Sequence, residues 1–490
     1  MIDLQIHEPT LQKAIQRARE RHLIIPTFEQ LMHPEKIPAA ITEQLRQVGL
    51  WEVNPLNLFR ITWKNEPRES GGLFGGVNFL EIPPRLSGVA ARLLALVGKW
   101  FPTGAHKVGA TFGCLVPRLV TGQFDPTSQK AVWPSTGNFC RGGAYNSALL
   151  GCDSIAILPE GMSRERFDWL KAIAGEVIAT PGSESNVKEI YDKCWELRCT
   201  RRDIMIFNQF EEFGNYLWHF HVTGRAVEEV FATVHQPRQR LAGFVSATGS
   251  AGTLACGDYV KQKFPQAKIV AAEALQCPTL LANGYGSHRI EGIGDKHVPW
   301  IHNVRNTDVV VAVDDEACLR LIRLFNEPAG RDYLAAEGVP EAFLQQLPLI
   351  GISGIANLIA AIKFARAFEL NERDVIFTVF TDSMALYTSR LAEMRNAEGP
   401  YTREHALRDF HRHLQGLSTD YLLELTHAER KRIHQLKYYT WIEQQGRRLE
   451  ELQAQWYDYP DYWLAIQNQI SEIDRHIAAF NARVAGRQAS

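Results

Sequence analysis

Short apolar runs alternate with longer segments of helical period between about residues 85 and 395. Each run is bounded by glycine, proline or charged residues, as strands of a sheet buried on both faces are. The pattern therefore predicts an α/β fold with parallel-type sheets flanked by helices. Two groups of such units predict two α/β domains, with a ligand at the carboxyl ends of the strands. The clearest predicted strands are 154–158, 176–179, 242–245, 268–272 and 375–379.

The strand pattern ends near residue 395, and the rest of the chain predicts a helical extension. Thr426 and Glu429 have the spacing of a capping box, and Gly446 is placed to end the helix that this box begins. Further on, six apolar residues predict a helix with one apolar face that has to be buried. This seam packs either on the rest of the chain or, through residues 460–484, against another subunit or partner. It consists of Ile466, Ile470, Ile473, Ile477, Phe480 and Val484.

Composition narrows the class of protein. The 490 residues include 53 Lys+Arg and 55 Asp+Glu, a net charge of −2, which argues against a dedicated nucleic-acid binder. No apolar stretch approaches the roughly 20 residues of a membrane span, and the N-terminus lacks the features of a signal peptide. The eight cysteines form no C-x-x-C pair. We therefore expect a cytoplasmic protein with reduced thiols, no membrane partner and no metal site.

The first segment with candidate chemistry contains one lysine. A turn at Pro102-Thr103-Gly104 brings Lys107 to the start of a helical stretch. A helix N-terminus and desolvation both disfavour the ammonium form, so the pKa of such a lysine is lowered and its amine can form a Schiff base with an aldehyde. Considered alone, a lysine at such a position is more often a solvated surface charge.

Three other segments join a strand to a loop. Ser135–Gly137 lead into a helix, where backbone N–H groups suit a carboxylate. The loop 248–253 lies between an apolar run and a helix, an arrangement that cradles phosphate, although no Gly-Lys-Ser/Thr follows as in a Walker loop. Ser353 and the turn 381–383 each expose a hydroxyl after a short apolar run. Each segment alone is also compatible with a purely structural turn.

Together and in this order, the four segments resemble the fold-type-II family of pyridoxal-phosphate enzymes. Its members include cysteine synthase, threonine synthase, serine/threonine dehydratases and the tryptophan synthase β subunit. Residues 208–210 and 291–294 are also similar to cysteine synthase, while Thr103–Lys107 look most like the tryptophan synthase β version. The resemblance covers roughly residues 50–395.

The resemblance implies a two-domain, tryptophan synthase β-like architecture with pyridoxal 5′-phosphate in the cleft between the domains. The smaller domain is expected at 80–215 and would carry Lys107. The larger domain is expected to combine 1–79 with 216–395, and the helical extension to span 396–490.

The resemblance also implies site residues. Lys107 matches the lysine that forms the internal aldimine and then moves the α-proton, and Asn138 matches the asparagine beside the cofactor 3′-oxygen. Ser353 matches the partner of the pyridine nitrogen, with a register uncertain by one residue because Gly354 is near the position of a second serine. The substrate carboxylate is matched to Ser135, Thr136 and Gly137. The phosphate cradle is matched to Thr248, Gly249, Ser250, Ala251, Gly252 and Thr253.

The implied reaction is α,β-elimination or β-replacement on a β-substituted L-amino acid, through an aminoacrylate. The substrate would resemble O-acetylserine, phosphoserine, serine or cysteine. A serine at the pyridine nitrogen gives an electron sink of moderate strength, which favours loss of a β-substituent. The alternatives are a serine/threonine-type dehydratase and a partner-dependent or non-catalytic subunit. The family implies a homodimer.

Two residues in the substrate segment depart from the cysteine synthase pattern. Arg141 predicts a site for a second anionic group on the substrate, because a guanidinium suits bidentate anions. A structural ion pair with a carboxylate is the alternative. Cys140 either contacts substrate, acts as a redox handle or packs as a small apolar residue.

Overall fold

The computed structural model describes residues 1–66, 72–135, 137–162, 164–182, 187–294 and 296–486, without the side chains of residues 165 and 187. Within these ranges eleven strands form two sheets. The strands are β1 (Phe79–Ile82), β2 (Arg92–Val97), β3 (Lys130–Pro134), β4 (Asp153–Pro159), β5 (Glu176–Thr180), β6 (Ile204–Ile206), β7 (Arg240–Ala247), β8 (Lys268–Ala274), β9 (Val309–Val313), β10 (Asp374–Phe380) and β11 (Leu422–Glu424).

Helices cover both sheets and make up the C-terminal extension. The α-helices within the described ranges are α1 (Glu8–Glu20), α2 (Phe28–Met32), α3 (Ala39–Leu45), α4 (Pro84–Ser87), α5 (Lys107–Val120), α6 (Asn138–Leu150), α7 (Arg164–Ile173), α8 (Val187–Thr200), α9 (Phe213–Trp218), α10 (Gly224–Val234), α11 (Leu254–Lys263), α12 (Thr279–Ala282), α13 (Asp315–Asn326), α14 (Pro328–Ala336), α15 (Glu341–Leu344), α16 (Ile352–Ala367), α17 (Thr388–Glu398), α18 (Arg403–Phe410), α19 (His427–Lys437), α20 (Leu449–Tyr457), α21 (Asp461–Gln467) and α22 (Ile470–Val484). Three π-helical segments continue them, His219–Thr223 between α9 and α10, His411–Gln415 after α18 and Tyr438–Gln444 after α19.

The smaller sheet has the order β5-β4-β3-β6 and is parallel throughout. The larger has the order β1-β2-β10-β7-β8-β9-β11. Its five central strands run parallel, and β1 and β11 pair antiparallel at its two edges. All five clearest predicted strands are present, as β4, β5, β7, β8 and β10. The predicted α/β fold with parallel-type sheets is therefore confirmed.

Two predicted boundaries differ from the structure. The prediction placed residues from 80 onward in the smaller domain, yet β1 and β2 belong to the larger sheet because β2 pairs with β10. The extension was expected to be helical throughout, yet β11 adds an edge strand to β9. The remaining division into domains stays a prediction.

The C-terminal seam is buried against this chain. Ile466, Ile473, Ile477 and Phe480 are all nearly inaccessible and join the main apolar cluster, in which α22 packs on α1, α2 and α5. The proposed contact of residues 460–484 with another subunit or partner is therefore wrong for the seam, because its apolar face is already covered. Among the described residues, no helix is long and apolar enough to cross a membrane.

The start of α19 has the predicted capping box. The Thr426 hydroxyl accepts a hydrogen bond from the Glu429 N–H, and the Glu429 carboxylate accepts one from the Thr426 N–H. Gly446 follows the helix with φ of +70°, a left-handed conformation that glycine adopts readily.

Candidate active site

Lys107 is the first residue of α5, and its side chain is half-buried. The turn before it needs two left-handed residues, Thr103 and Gly104, with φ of 71° and 72°. The Lys107 Nζ donates to Ser250 Oγ at 3.0 Å and lies 3.5 Å from Gln209 Oε1. Burial lowers its pKa to about 8. About one in ten of these amines is therefore in the neutral, nucleophilic form at pH 7.

The loop that binds Lys107 joins β7 to α11. Its Ser250 hydroxyl also accepts hydrogen bonds from Asn215 Nδ2 at 2.9 Å and from the Gly252 N–H at 3.3 Å. Ala251 turns the backbone at φ of +61°. Within the described residues, the N–H groups of Gly249, Ser250 and Ala251 donate no hydrogen bond. Free N–H groups at the start of a ten-residue helix suit an anion such as phosphate.

Thr248, the first residue of the expected phosphate cradle 248–253, has its donors already occupied. Its N–H and its hydroxyl both donate to the Ala272 carbonyl, at 2.7 and 3.0 Å. It therefore fixes the loop to β8, and the groups available to an anion begin at Gly249. Thr253 comes directly before α11 and is buried.

The substrate segment lies where β3 ends and α6 begins. Ser135 Oγ accepts hydrogen bonds from the Gly137 N–H at 3.2 Å and from Gln209 Nε2 at 3.3 Å. Thr136 lies outside the described residues. Asn138 Nδ2 donates to Asp382 Oδ2 at 2.6 Å, while the buried Asn138 Oδ1 atom has no partner among the described residues.

Ser353 is buried in the first turn of α16. A Cβ atom on Gly292 would lie 3.9 Å from Ser353 Oγ, so Ser353 faces the loop 291–294. A Cβ atom on Gly354 would lie 2.9 Å from the Phe380 ring, so Gly354 packs against β10 and has no room for a side chain. Of these two neighbouring positions, only that of Ser353 presents a hydroxyl to the loop.

A buried polar network, only partly visible in the sequence, connects the parts of the chain that carry the two sheets. Asp382 Oδ2 accepts from the Tyr387 hydroxyl at 2.6 Å, and Arg166 donates to the same hydroxyl at 3.0 Å. Arg166 also pairs with Glu291 at 3.1 Å, and Arg390 pairs with Glu291 at 2.6 Å. Burial raises the pKa of Asp382.

Sequence reasoning noted the segments of Asp382 and Glu291 but missed Arg166 and Tyr387. Arg166 follows Arg164 and Glu165, a charged stretch typical of a solvated helix face. Beside the network, a cavity of about 340 Å³ opens between the two parts of the chain, lined among others by Gly161, Glu291, Ile352 and Arg390.

Cys140 does not have the environment of a reactive thiol. It is fully buried, its Sγ donates to the Gly137 carbonyl at 2.9 Å, and burial raises its pKa to about 12. A thiol with so high a pKa is a poor nucleophile, so Cys140 serves packing.

Arg141 is also buried but forms no ion pair with a carboxylate in the described part of the chain. Its guanidinium lies 5.6 Å from the Trp51 ring and 4.7 Å from the Trp169 ring. Its Nε and Nη1 atoms are buried and find no hydrogen-bond partner within the described ranges. The alternative of a structural ion pair is therefore not found among the described residues.

The arrangement fits a cofactor that carries both an aldehyde and a phosphate. One loop joins a partly neutral amine, Lys107, to a set of free N–H groups through Ser250. The Asn138 Oδ1 atom, which has no partner among the described residues, offers such a cofactor a further polar contact at the start of α6.

The comparisons with known proteins agree with this arrangement. A family model described as "Pyridoxal-phosphate dependent enzyme" matches residues 101–382, more than half of the chain. The protein belongs to this family of pyridoxal-phosphate dependent enzymes. Its cofactor is pyridoxal phosphate, and its fold is of type II.

The individual relatives share about a quarter of their aligned residues with this chain. A probable cysteine synthase of Bacillus subtilis is 27% identical over 288 residues, which cover 59% of this chain and 86% of the relative. A cystathionine beta-synthase of Saccharomyces cerevisiae is 24% identical over 319 residues, which cover 63% of this chain and 59% of the relative. A hydrogen sulfide-producing enzyme of Fusobacterium nucleatum has a similar structure, with a TM-score of 0.53 and 24% identity. The match covers 68% of this chain and 92% of that enzyme. At that identity the likeness in structure supports the fold alone.

Proposed function

We propose that this protein catalyses β-elimination or β-replacement on a β-substituted L-amino acid, with pyridoxal phosphate as cofactor. The observation that carries the proposal is the contact of the Lys107 amine with the anion-binding loop through Ser250, at 3.0 Å. The similarity to enzymes named cysteine synthase and cystathionine beta-synthase supports this reaction class over other pyridoxal-phosphate chemistry.

We assign the cofactor contacts from the site's own donors. The free N–H groups of Gly249, Ser250 and Ala251 would hold the phosphate, and Asn138 would lie beside the 3′-oxygen. Ser353 would meet the pyridine nitrogen. When bound, the cofactor supplies an aldehyde that takes up the substrate amino group and a ring that withdraws electrons from Cα.

The remaining roles follow from hydrogen bonding and charge. Ser135 and Gly137 would bind the substrate α-carboxylate at the start of α6, where backbone N–H groups favour an anion. Lys107 would take the proton from Cα as the β-substituent leaves, and would return it to Cα if a nucleophile adds at Cβ. A pKa near 8 suits an amine that has to hold and release a proton near neutral pH.

The test combines spectroscopy with product analysis. The purified holoenzyme is titrated with O-acetyl-L-serine, L-serine and L-cysteine while its visible absorption is recorded. Products are then measured with and without added sulfide. We expect a spectral response, 2-oxo acid and ammonia without sulfide, and cysteine with sulfide. Exclusive formation of 2-oxo acid and ammonia in the presence of nucleophiles would favour the dehydratase alternative.

Two variants separate the role of Lys107 from that of any buried lysine. Lys107→Ala is expected to abolish the spectral response and turnover. Lys363→Met is the matched control, since Lys363 is buried but donates to the backbone carbonyls of Ala312 and Asp420. Full activity of Lys107→Ala would contradict the proposal.

Cytoplasmic location and a homodimeric state remain part of the proposal. Seven of the eight cysteines are buried as free thiols, and Cys199 is exposed and also free, which suits a reducing compartment. Light scattering on the purified holoenzyme would give the oligomeric state, and a fully active monomer would contradict the homodimer.

A further inference from the structure

The segment that begins α6 carries a buried cation, Arg141, that forms no ion pair with a carboxylate of the described residues. Arg141 is only 2% exposed, and two of its three guanidinium nitrogens, Nε and Nη1, have no hydrogen-bond partner among the residues that the structure describes. Removing an ion from water without pairing it is costly, so such groups are rarely left without a function. Contact with the two indoles of Trp51 and Trp169 offsets part of that cost through cation–π attraction.

The guanidinium belongs to the same region as the substrate segment. Arg141 follows Asn138 by three residues in α6, so the two side chains share one face of the helix. Arg141 also lies close enough to Arg166 and Asp382 for their charges to act on its pKa, which burial lowers to about 10. The side chain therefore remains charged at neutral pH.

A second guanidinium lies under the same segment. A Cβ atom on Gly137 would lie 2.2 Å from Arg166 Nη1, so Arg166 packs directly against the backbone that we assign to the α-carboxylate. Arg166 is already paired with Glu291, whereas Arg141 is not paired within the described residues. Among these two cations, Arg141 is thus the one available to a further anion.

We infer that Arg141 selects substrates whose β-substituent is itself an anion, by binding that group next to the site for the α-carboxylate. This inference rests on the proposed function and adds a substrate class to it. Phosphate, sulfonate and carboxylate share the oxygen acceptors that a guanidinium binds, and O-phospho-L-serine is the probe we would use.

The experiment compares O-phospho-L-serine with O-acetyl-L-serine, whose β-substituent is neutral. We expect the wild-type holoenzyme to prefer the phosphorylated substrate in kcat/KM. Arg141→Met, which keeps an apolar chain between the two indoles, is expected to reduce that preference about tenfold to a hundredfold, mainly through KM. This range is the usual effect of losing a charge-assisted hydrogen bond. Arg141→Lys, which keeps the charge without the planar fork, is expected to lie between the two.

Inorganic phosphate provides a second readout that does not depend on turning over the phosphorylated substrate. It should inhibit turnover of O-acetyl-L-serine competitively in the wild type, and at least about tenfold more weakly in Arg141→Met. The matched control is Arg305→Met. The Arg305 guanidinium also lies against two aromatic rings, but these rings, Trp456 and Tyr459, belong to the C-terminal extension and not to the proposed site. This control should keep both the substrate preference and the phosphate inhibition.

Each outcome separates the inference from the function on which it rests. If the wild type turns over O-acetyl-L-serine and ignores both O-phospho-L-serine and phosphate, the inference fails and the proposed function stands. If Arg141→Met lowers both kcat/KM values equally, Arg141 has only a structural role, and the inference again fails. If neither amino acid is turned over, the proposed function fails and the inference with it.

Discussion

The lowered pKa of Lys107 has a direct consequence for cofactor loading. Only the neutral amine attacks an aldehyde, so the rate at which the apoprotein captures pyridoxal phosphate should follow the neutral fraction of Lys107. With a pKa of about 8, roughly one side chain in ten is neutral at pH 7, against about one in three thousand at the ordinary value of 10.5. Burial thus makes the amine about 300-fold more available at this pH.

The assay follows the growth of visible absorption after apoprotein is mixed with pyridoxal phosphate between pH 6 and pH 10. Each rate is divided by that of a free lysine derivative at the same pH, which removes the titration of the cofactor itself. The unnormalised rate should rise about tenfold per pH unit up to pH 8 and level off above it. The ratio to the free derivative should be constant below pH 8 and fall above it, because only the derivative continues to deprotonate.

Lys107→Ala fixes the background from other lysines and should show no saturable phase. A normalised ratio that stays flat from pH 6 to pH 10 would mean that Lys107 titrates like a solvated lysine. That result would refute the argument that burial lowers the pKa of this amine and so raises its reactivity.

Three further predictions concern stability, each measured by chemical denaturation of the holoenzyme. Gly113→Ala places a Cβ atom 2.2 Å from a backbone carbonyl of α9 and should destabilise by about 1–3 kcal/mol, while Gly76→Ala, which meets nothing within 4 Å, should change little. Ile477→Ala empties a fully buried position of the seam and should cost about 2–5 kcal/mol, against less than about 0.5 kcal/mol for the exposed Arg475→Ala on the same helix; equal effects would contradict the packing of α22. Tyr387→Phe removes the hydroxyl that donates to Asp382 and should cost about 1–3 kcal/mol, and an unchanged midpoint would show that the network is dispensable.

The sequence predicted the elements of this fold better than their assembly. Strands such as 268–272 were evident because a strand buried on both faces is apolar throughout. Chain order does not reveal crossovers, however, so β2 was placed with the wrong sheet although it pairs with β10, nearly 300 residues away in sequence. The three-residue β11 is too short to give a periodic signal and is a strand because β9 offers it a free edge.

The same limit applies to the site. Lys107 and the loop 249–253 could be found because each follows an apolar run and is marked by glycine and hydroxyl residues, a local signal. Tyr387 and Arg166 carry no local signal. They become site-forming residues only when the fold brings α7 against the turn that follows β10, where the Arg166 guanidinium meets the Tyr387 hydroxyl at 3.0 Å.

Both ends of the chain contribute to the position of the proposed catalytic lysine. α5 begins at Lys107, and α1 and α22 pack along it, with Phe28 of α2 meeting Phe112 edge-on at 5.6 Å. Asp474 of α22 accepts hydrogen bonds from the backbone N–H groups of Phe28 and Glu29, at 2.7 and 3.1 Å. The N-terminal helices and the last helix therefore hold each other as well as α5. Because a packed helix transmits displacement along its length, loosening the seam should disturb Lys107 before it disturbs the phosphate loop, which is fixed separately to β8 through Thr248.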